Sequence, residues 1–306
     1  MSDISRDVSV PEVGMSDEDF AHRPTVLGEG TFEGKVVLVS GGGSGIGRAT
    51  AILLGRLGAR LVLCGRDPGK LESAAACLTH LGADVSTHPM SIRSPEAVEA
   101  LFAEVVDRHG GIDVLVNNAG GQFAQATIEI KPKGWNAVVD TNLNGTFYMI
   151  QAAARHWREV ARPGCIVNVV AAIWRGMPQV AHTCAARAGV VFLSKTVATE
   201  WAPLNIRVNC VAPGTIRTEG FGSYPREALA SFSQANPMLR TGSAWDIAEA
   251  IAYLSSDAAG FITGETLNVD GGSQNWGDPW FLGRPEYFEL NYAEARLPTN
   301  LKEQAR

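Results

Sequence analysis

The sequence predicts an α/β protein: a single Rossmann-type, doubly wound domain built on a seven-stranded parallel sheet. Three observations predict it. Apolar runs of strand length alternate with stretches of helical periodicity through most of the 306-residue chain. The runs are apolar at nearly every position, as strands covered on both faces are. The first run ends in a glycine-rich segment, Ser-Gly-Gly-Gly-Ser-Gly-Ile-Gly at 40–47, that opens a helical pattern.

The chain divides into an N-terminal arm (1–33), the domain (34–272) and an aromatic-rich tail (273–306). The arm is acidic and polar with little apolar periodicity, and reads as loosely held. Residues 35–40 form the first strand and about 46–57 the first helix. Strand two at 60–64 precedes a helix at 68–81; strand three at 84–90 precedes one at 95–108. Strand four covers 112–117. A single long helix is expected over 134–160, then strand five at 165–170, another long helix at 180–201 and strand six at 206–211. Strand seven lies at 266–270. Residues 214–245, with Gly220, Gly222, Pro225 and Pro237, join strand six to the last helix. An insertion at a strand's C-terminal end commonly covers a ligand. The tail carries Trp276, Trp280, Phe281, Tyr287, Phe288 and Tyr292, too many aromatics for a disordered segment, and is expected to pack on its own subunit or a neighbour.

The net charge of −6 argues against a nucleic-acid partner, which needs a basic surface, and against an anionic membrane surface. No segment approaches the ~18 apolar residues of a membrane span, and the first residues lack the apolar core of a signal peptide. The last residues are not a peroxisomal or retention address. A soluble, cytoplasmic protein is expected. The five cysteines show no C-x-x-C pair, so they read as reduced thiols, with Cys64 and Cys210 as core filler. Neither they nor His156 and His182 have metal-ligand spacing, so no metal is expected.

The glycine-rich segment carries the first chemistry. Gly41, Gly45 and Gly47 let the backbone turn sharply and approach a pyrophosphate, while a helix N-terminus offers unpaired N–H groups and a positive dipole end. Ser40, Ser44 and Ile46 complete this candidate loop. Asn117-Asn118-Ala119-Gly120, just past strand four, strengthens the nucleotide reading. The end of strand two refines it. An acidic residue there would grip the ribose 2′-hydroxyl of NAD. This chain has Gly65 and then Arg66, which leaves room for a 2′-phosphate and pairs with it, so NADP(H) is the expected cofactor. Asp67 lies one or two places late for the ribose. The other reading of Arg66 is a surface residue at a helix cap.

From about residue 32 to 272 the chain resembles the short-chain dehydrogenase/reductases. The resemblance rests on the 40–47 loop, Asn117–Gly120, Asn142 within Thr-Asn-Leu-Asn-Gly-Thr-Phe, Arg207-Val-Asn, Pro213-Gly214 and Val269-Asp-Gly-Gly, in that order. It implies an NAD(P)-dependent oxidoreductase, a homotetramer, and a small-molecule substrate. It also implies positions: Ser91 and Ile92 beside the adenine, Asn118 at the adenine ribose, Gly120 among the cofactor-binding residues, and Pro213, Gly214, Ile216 and Thr218 at the nicotinamide end.

The departure from the pattern is equally informative. Most relatives place a Ser near 170 or 171, a Tyr at 183 and a Lys at 187; this chain has Val170, Ala171, Thr183 and Arg187. A threonine hydroxyl is too weak an acid to replace a phenol. Arg187 can still bind the nicotinamide ribose but cannot relay protons. Ketone reduction makes an alkoxide that must be protonated with the hydride. Reduction of an alkene conjugated to a thioester makes an enolate, which hydrogen-bond donors stabilise while the α-carbon takes a proton from water or a weak acid. Local wording at 118–123, 133–135, 145–149 and 182–190 resembles the peroxisomal trans-2-enoyl-CoA reductase branch, and Thr218-Glu-Gly-Phe the 2,4-dienoyl-CoA reductases.

The leading expectation is therefore an NADPH-dependent reductase of the C2=C3 bond of a 2-enoyl thioester such as a CoA ester. The alternatives are a dehydrogenase of a terpenoid or other alcohol or aldehyde, and a catalytically silent NADP(H)-binding protein. Asn142 reads either as a substrate or water ligand or as the bridge of a helix distortion. His182 reads either as a donor to an enolate or as a histidine bonded to backbone at a helix start. Tyr224 is the candidate stand-in acid. Arg217, Arg226 and Arg240 are candidates for coenzyme A phosphates.

Overall fold

The computed structural model describes residues 14–223, 232 and 235–275. Its strands are β1 (Val36–Ser40), β2 (Arg60–Gly65), β3 (Val85–Pro89), β4 (Val114–Asn117), β5 (Gly164–Val169), β6 (Ile206–Pro213), the short β7 (Ile216–Arg217) and β8 (Gly242–Ser243), and β9 (Thr266–Val269). Seven of them form one sheet in the order β3-β2-β1-β4-β5-β6-β9, and every pairing is parallel. The expected sheet is thus present. The insertion after β6 adds a separate β7–β8 pair.

The helices are α1 (Asp17–His22), α2 (Gly45–Arg56), α3 (Pro68–His80), α4 (Pro95–His109), α5 (Pro132–Val139), α6 (Gly145–Glu159), α7 (Ala181–Trp201) and α8 (Ala244–Ser255). Their starts follow local chemistry. Asp67, Ser94 and Ser243 accept backbone N–H groups of the first turn, and Pro68, Pro95 and Pro132 sit where a missing N–H is harmless. Helices cover both faces of the sheet. Val37 and Val39 of β1 join Leu53, Leu71 and Ile251 from α2, α3 and α8; Val36 and Leu38 join Phe102, Ile150 and Trp157 from α4 and α6. That two-sided cover is why β1 is apolar without alternation. None of the described helices is long and apolar enough to cross a membrane.

Chain order reverses between β1 and β4. The connections from β1 progress toward β3, and those from β4 toward β9. A crevice opens where the two progressions diverge, outside the strands' C-terminal ends. Ser40 and Asn117 end their strands in register at that crevice.

Two expectations need correction. The 134–160 helix is not continuous: α5 and α6 are joined by a π-helical turn at Asp140–Asn144. An inserted residue keeps the axis and the apolar periodicity nearly unbroken, which hides such a turn in the sequence. It carries Asn142 inward, to 1% exposure. The arm is also not loosely held over its described part. Phe20 is buried and stacks on Trp245 at 6.0 Å, and Arg56 donates to the Phe20 and Arg23 carbonyls at 2.7 and 2.9 Å. Asp17 pairs with Arg48 of α2. A few anchors suffice, so the polar remainder disguises the docking. Tyr224, Arg226 and the tail aromatics lie outside the described residues.

The docking of α1 is measurable. Phe20→Ala is expected to destabilise the protein by about 3 kcal/mol in urea denaturation with an unchanged slope. A loose arm would give a change within about 0.5 kcal/mol.

Candidate active site

The crevice is held by two reciprocal ties. The Ser40 hydroxyl, fully buried, accepts the N–H groups of Asn118 and Ala119 at 3.1 and 3.0 Å. In return Asn118 Nδ2 donates to the carbonyls of Ser40 and Gly41, each at 3.1 Å. The loops after β1 and β4 are therefore one unit. Gly41 adopts φ +67°, and a Cβ there would stand 3.0 Å from Ala119 Cα. A Cβ on Gly47 would overlap the Gly41 carbonyl and Asn118 Nδ2. Ser44 precedes α2 without spending its hydroxyl on a cap. The first N–H groups of α2 have no intrahelical acceptor, so this cradle fits a phosphate.

A groove of about 710 Å³ extends from the cradle. Gly41, Ser44, Gly45, Ile46, Arg66, Ser91, Ile92, Asn118, Gly120 and Thr218, all singled out from the sequence, line it together. Arg66 is exposed and has no ion pair among the described residues. Asp67 faces the same groove but is engaged elsewhere: its Oδ1 accepts the Lys70 N–H at 3.1 Å as the cap of α3. Lys70, which the sequence reading missed, also lines the groove, with Nζ 3.9 Å from Asp67 Oδ2. Its signal was available, since it lies on the first turn of the helix that follows Arg66. Thr141, also missed, reaches the groove from the π-helical turn.

The remaining cofactor candidates are placed differently. Ile216 lines a second cavity of about 270 Å³ with Asn236, Arg240 and Asp270. Pro213 ends β6, and Gly214 is pressed against Asp270, where a Cβ would lie 2.7 Å from its Cα.

Beyond the groove, α7 brings Arg187 against the 118–121 loop, with Thr183 one turn earlier on the same helix. Buried hydrogen bonds run from Asn117 Nδ2 to Asn168 Oδ1 and from Asn168 Nδ2 to Ser194 Oγ, both 2.9 Å, and fix α7 against β4 and β5. The Arg187 guanidinium is buried and abuts Gly120; a Cβ there would overlap Nη2 and stand 3.0 Å from Asn142 Oδ1. No carboxylate of the described residues pairs with Arg187. Burial lowers its pKa to about 10, with the Cys210 thiol opposing, so it remains a cation at neutral pH. Asn142 spends its amide on the backbone of Gly121, accepting the N–H and donating to the carbonyl, each at 3.0 Å.

Thr183 is buried at the first turn of α7. Its N–H donates to the Val180 carbonyl at 2.9 Å and to His182 Nδ1 at 2.8 Å; its hydroxyl lies 3.4 Å from the same nitrogen. His182 has no exposed surface and meets the Phe123 ring edge-on at 4.5 Å. Burial pushes its pKa below the ordinary histidine value, against the opposing pull of the Phe123 and Val180 carbonyls. The four side chains thus form a neutral imidazole, a hydroxyl, an occupied amide and a buried cation around one loop.

The cradle yields a direct check. Gly47→Ala is expected to weaken nucleotide binding by more than about tenfold in a fluorescence titration, because loop and helix must separate to admit the methyl group. Unchanged affinity would mean that this loop is not the phosphate site.

The comparisons with known proteins agree with this geometry. A family profile described as enoyl-(acyl carrier protein) reductase matches residues 41–274. A probable 2,4-dienoyl-CoA reductase [(2E)-enoyl-CoA-producing] of Bacillus subtilis (strain 168) is 36% identical over 254 residues, covering 81% of this chain and 99% of that protein. A solved short chain dehydrogenase from Bacillus anthracis aligns with TM-score 0.77 and 37% identity, over 81% of this chain and 99% of the other. The citronellol catabolism dehydrogenase AtuB of Pseudomonas aeruginosa PAO1 aligns with TM-score 0.73 and 39% identity, over 82% of this chain and 99% of the other. A parallel sheet with its switch point at a glycine cradle, together with these matches, establishes that the chain belongs to the short-chain dehydrogenase/reductase family of oxidoreductases.

Proposed function

We propose that this protein is an NADPH-dependent reductase of the C2=C3 double bond of a 2-enoyl thioester. The family uses NAD(P)(H). The observation that carries the reading is the start of α7, where Thr183 and Arg187 occupy the places that the family resemblance gives to a tyrosine and a lysine. A threonine hydroxyl does not protonate an alkoxide near neutral pH. A conjugated thioester needs only donors at its oxygen and a slow proton source at its α-carbon.

The residues divide the work. The cradle of Gly41, Ser44, Gly45 and Gly47 holds the pyrophosphate, Ser91 and Ile92 flank the adenine, and Arg66 with Lys70 holds the 2′-phosphate. The exposed Arg66, without an ion pair among the described residues, and Lys70 beside it support the phosphorylated cofactor, while Asp67 caps α3 through one of its oxygens. Arg187 binds the nicotinamide ribose, and Asn142 keeps the adjoining loop in place. When bound, the cofactor would supply a hydride equivalent for the β-carbon. Coenzyme A finds in Arg217 a cation without an ion pair among the described residues, whereas Arg240 is engaged by Asp246 at 3.5 Å and by the Thr241 carbonyl. The Bacillus subtilis relative named for a CoA thioester supports this substrate class.

A second reading, oxidation of a terpenoid or similar alcohol, is favoured by the likeness to AtuB. It requires a replacement for the missing phenol that takes up the alcohol's proton, such as Tyr224, and Tyr224→Phe should then abolish alcohol oxidation.

Mixing the protein with NADPH and trans-2-enoyl-CoA esters from crotonyl to decenoyl should oxidise NADPH, followed at the nicotinamide absorbance band. Absence of oxidation at every chain length retires the reading. NADPH binding without turnover of any enone or alcohol would instead mark a silent binder. Arg66→Ala should raise the Kd for NADPH about 10- to 100-fold and leave that for NADH nearly unchanged. Equal effects on both would remove the 2′-phosphate assignment.

A further inference from the structure

We propose that His182 holds the substrate's carbonyl oxygen through its Nε2–H, and that the Phe123 ring covers this donor until substrate displaces it. The inference rests on the reductase reading above and names the group that replaces the missing phenol.

The tautomer follows from the hydrogen bonds. His182 Nδ1 receives the Thr183 backbone N–H at 2.8 Å, and an N–H can only donate. Nδ1 is therefore the acceptor of a neutral ring, and the proton sits on Nε2. That Nε2 is buried and meets no acceptor in full hydrogen-bond geometry among the described residues, although the Phe123 and Val180 carbonyls lie close enough to the ring to favour its protonated form. A buried donor left unsatisfied costs about 1–3 kcal/mol, so this one gains from any acceptor brought to it. Burial also disfavours the imidazolium, so the ring offers a donor without a competing charge.

Its location matches the task. His182 adjoins Thr183 at the first turn of α7, and Arg187 lies one turn further along the same helix, against Gly120. The cover is a side chain that can move. Phe123 is 38% exposed and lies in a segment without regular secondary structure, between β4 and α5. Its ring rests on Gly134, where a Cβ would stand 2.8 Å from the ring. An acyl chain entering over the 118–121 loop replaces one apolar surface by another, and the donor beneath gains an acceptor. Thr183 is then a positioning residue, whose backbone N–H fixes the ring's tautomer. Nε2 keeps its proton throughout. It stabilises negative charge developing on the thioester oxygen, while the α-carbon takes its proton from solvent.

The test compares wild type with His182→Leu, which removes the donor, and His182→Gln, which keeps an amide N–H at similar reach. The expected result is a kcat about 10²-fold lower for His182→Leu, a smaller change in KM, and partial recovery in His182→Gln. The Kd for NADPH should be unchanged in both. Histidine ¹⁵N spectra of the wild type should show a neutral ring protonated at Nε2, with that resonance shifting when decanoyl-CoA and NADP⁺ are added together. A His182→Leu kcat within about threefold of wild type overturns the inference alone, as does a ring protonated at Nδ1 or a resonance indifferent to decanoyl-CoA. If His182→Leu fails to fold, the spectra and His182→Gln decide. Wild type that turns over no enoyl thioester retires the reductase reading and this inference with it.

Discussion

The site depends on the hydrogen bonds that tie Ser40 to Asn118 and Ala119 across the switch point. They lie between the ends of two strands whose crossovers leave in opposite directions, and they prevent the crevice from either collapsing or splaying. Every neighbouring choice follows from that closeness. Gly41 and Gly47 carry no Cβ because the Asn118 amide and the opposing backbone occupy the space. Because Ser40 and Asn118 satisfy each other's polar groups, the backbone near them can be buried without the penalty of unpaired donors. The N-terminus of α2 is then free to present its own N–H groups to a ligand.

A second constraint governs the reacting end. Arg187 is a buried cation without a carboxylate partner among the described residues, and it lies against the loop that Asn142 secures. Charge in such a place is expensive unless something negative or strongly polar arrives. That cost falls when an acceptor reaches the guanidinium. The π-helical turn belongs to the same arrangement, because it turns Asn142 inward between the loop and the guanidinium. A regular helix through 140–144 would not reserve that position.

Much of this was legible in the sequence because it rests on short-range rules. The apolar runs announced buried parallel strands, and the glycines at 41, 45 and 47 announced a backbone that must pass close to something. What stayed hidden depends on contacts between distant residues. The π-helical turn leaves the periodicity around Asn142 almost intact. The docking of α1 hinges on Phe20 finding Trp245, more than two hundred positions away, and the arm's polar composition does not reveal that pairing. Lys70 escaped notice because a lysine on a helix's first turn is ordinary until the groove beside Arg66 is seen. The tautomer of His182 is set by a single backbone N–H, and Phe123 becomes relevant only once it lies over that ring. Tyr224 lies outside the described residues, so its candidacy stands where the sequence left it.

On the proposed reading, a pocket with a threonine in place of a phenol reduces a polarised carbon–carbon bond. The most direct measurement is isotope transfer. The protein would be incubated with NADPH deuterated at nicotinamide C4 and trans-2-decenoyl-CoA, and the acyl product analysed by mass spectrometry and NMR. Deuterium at C3 of a saturated chain, with a solvent-derived hydrogen at C2, is the predicted outcome. Deuterium on a carbinol carbon when a ketone or aldehyde is offered, with none entering the enoyl chain, would contradict it.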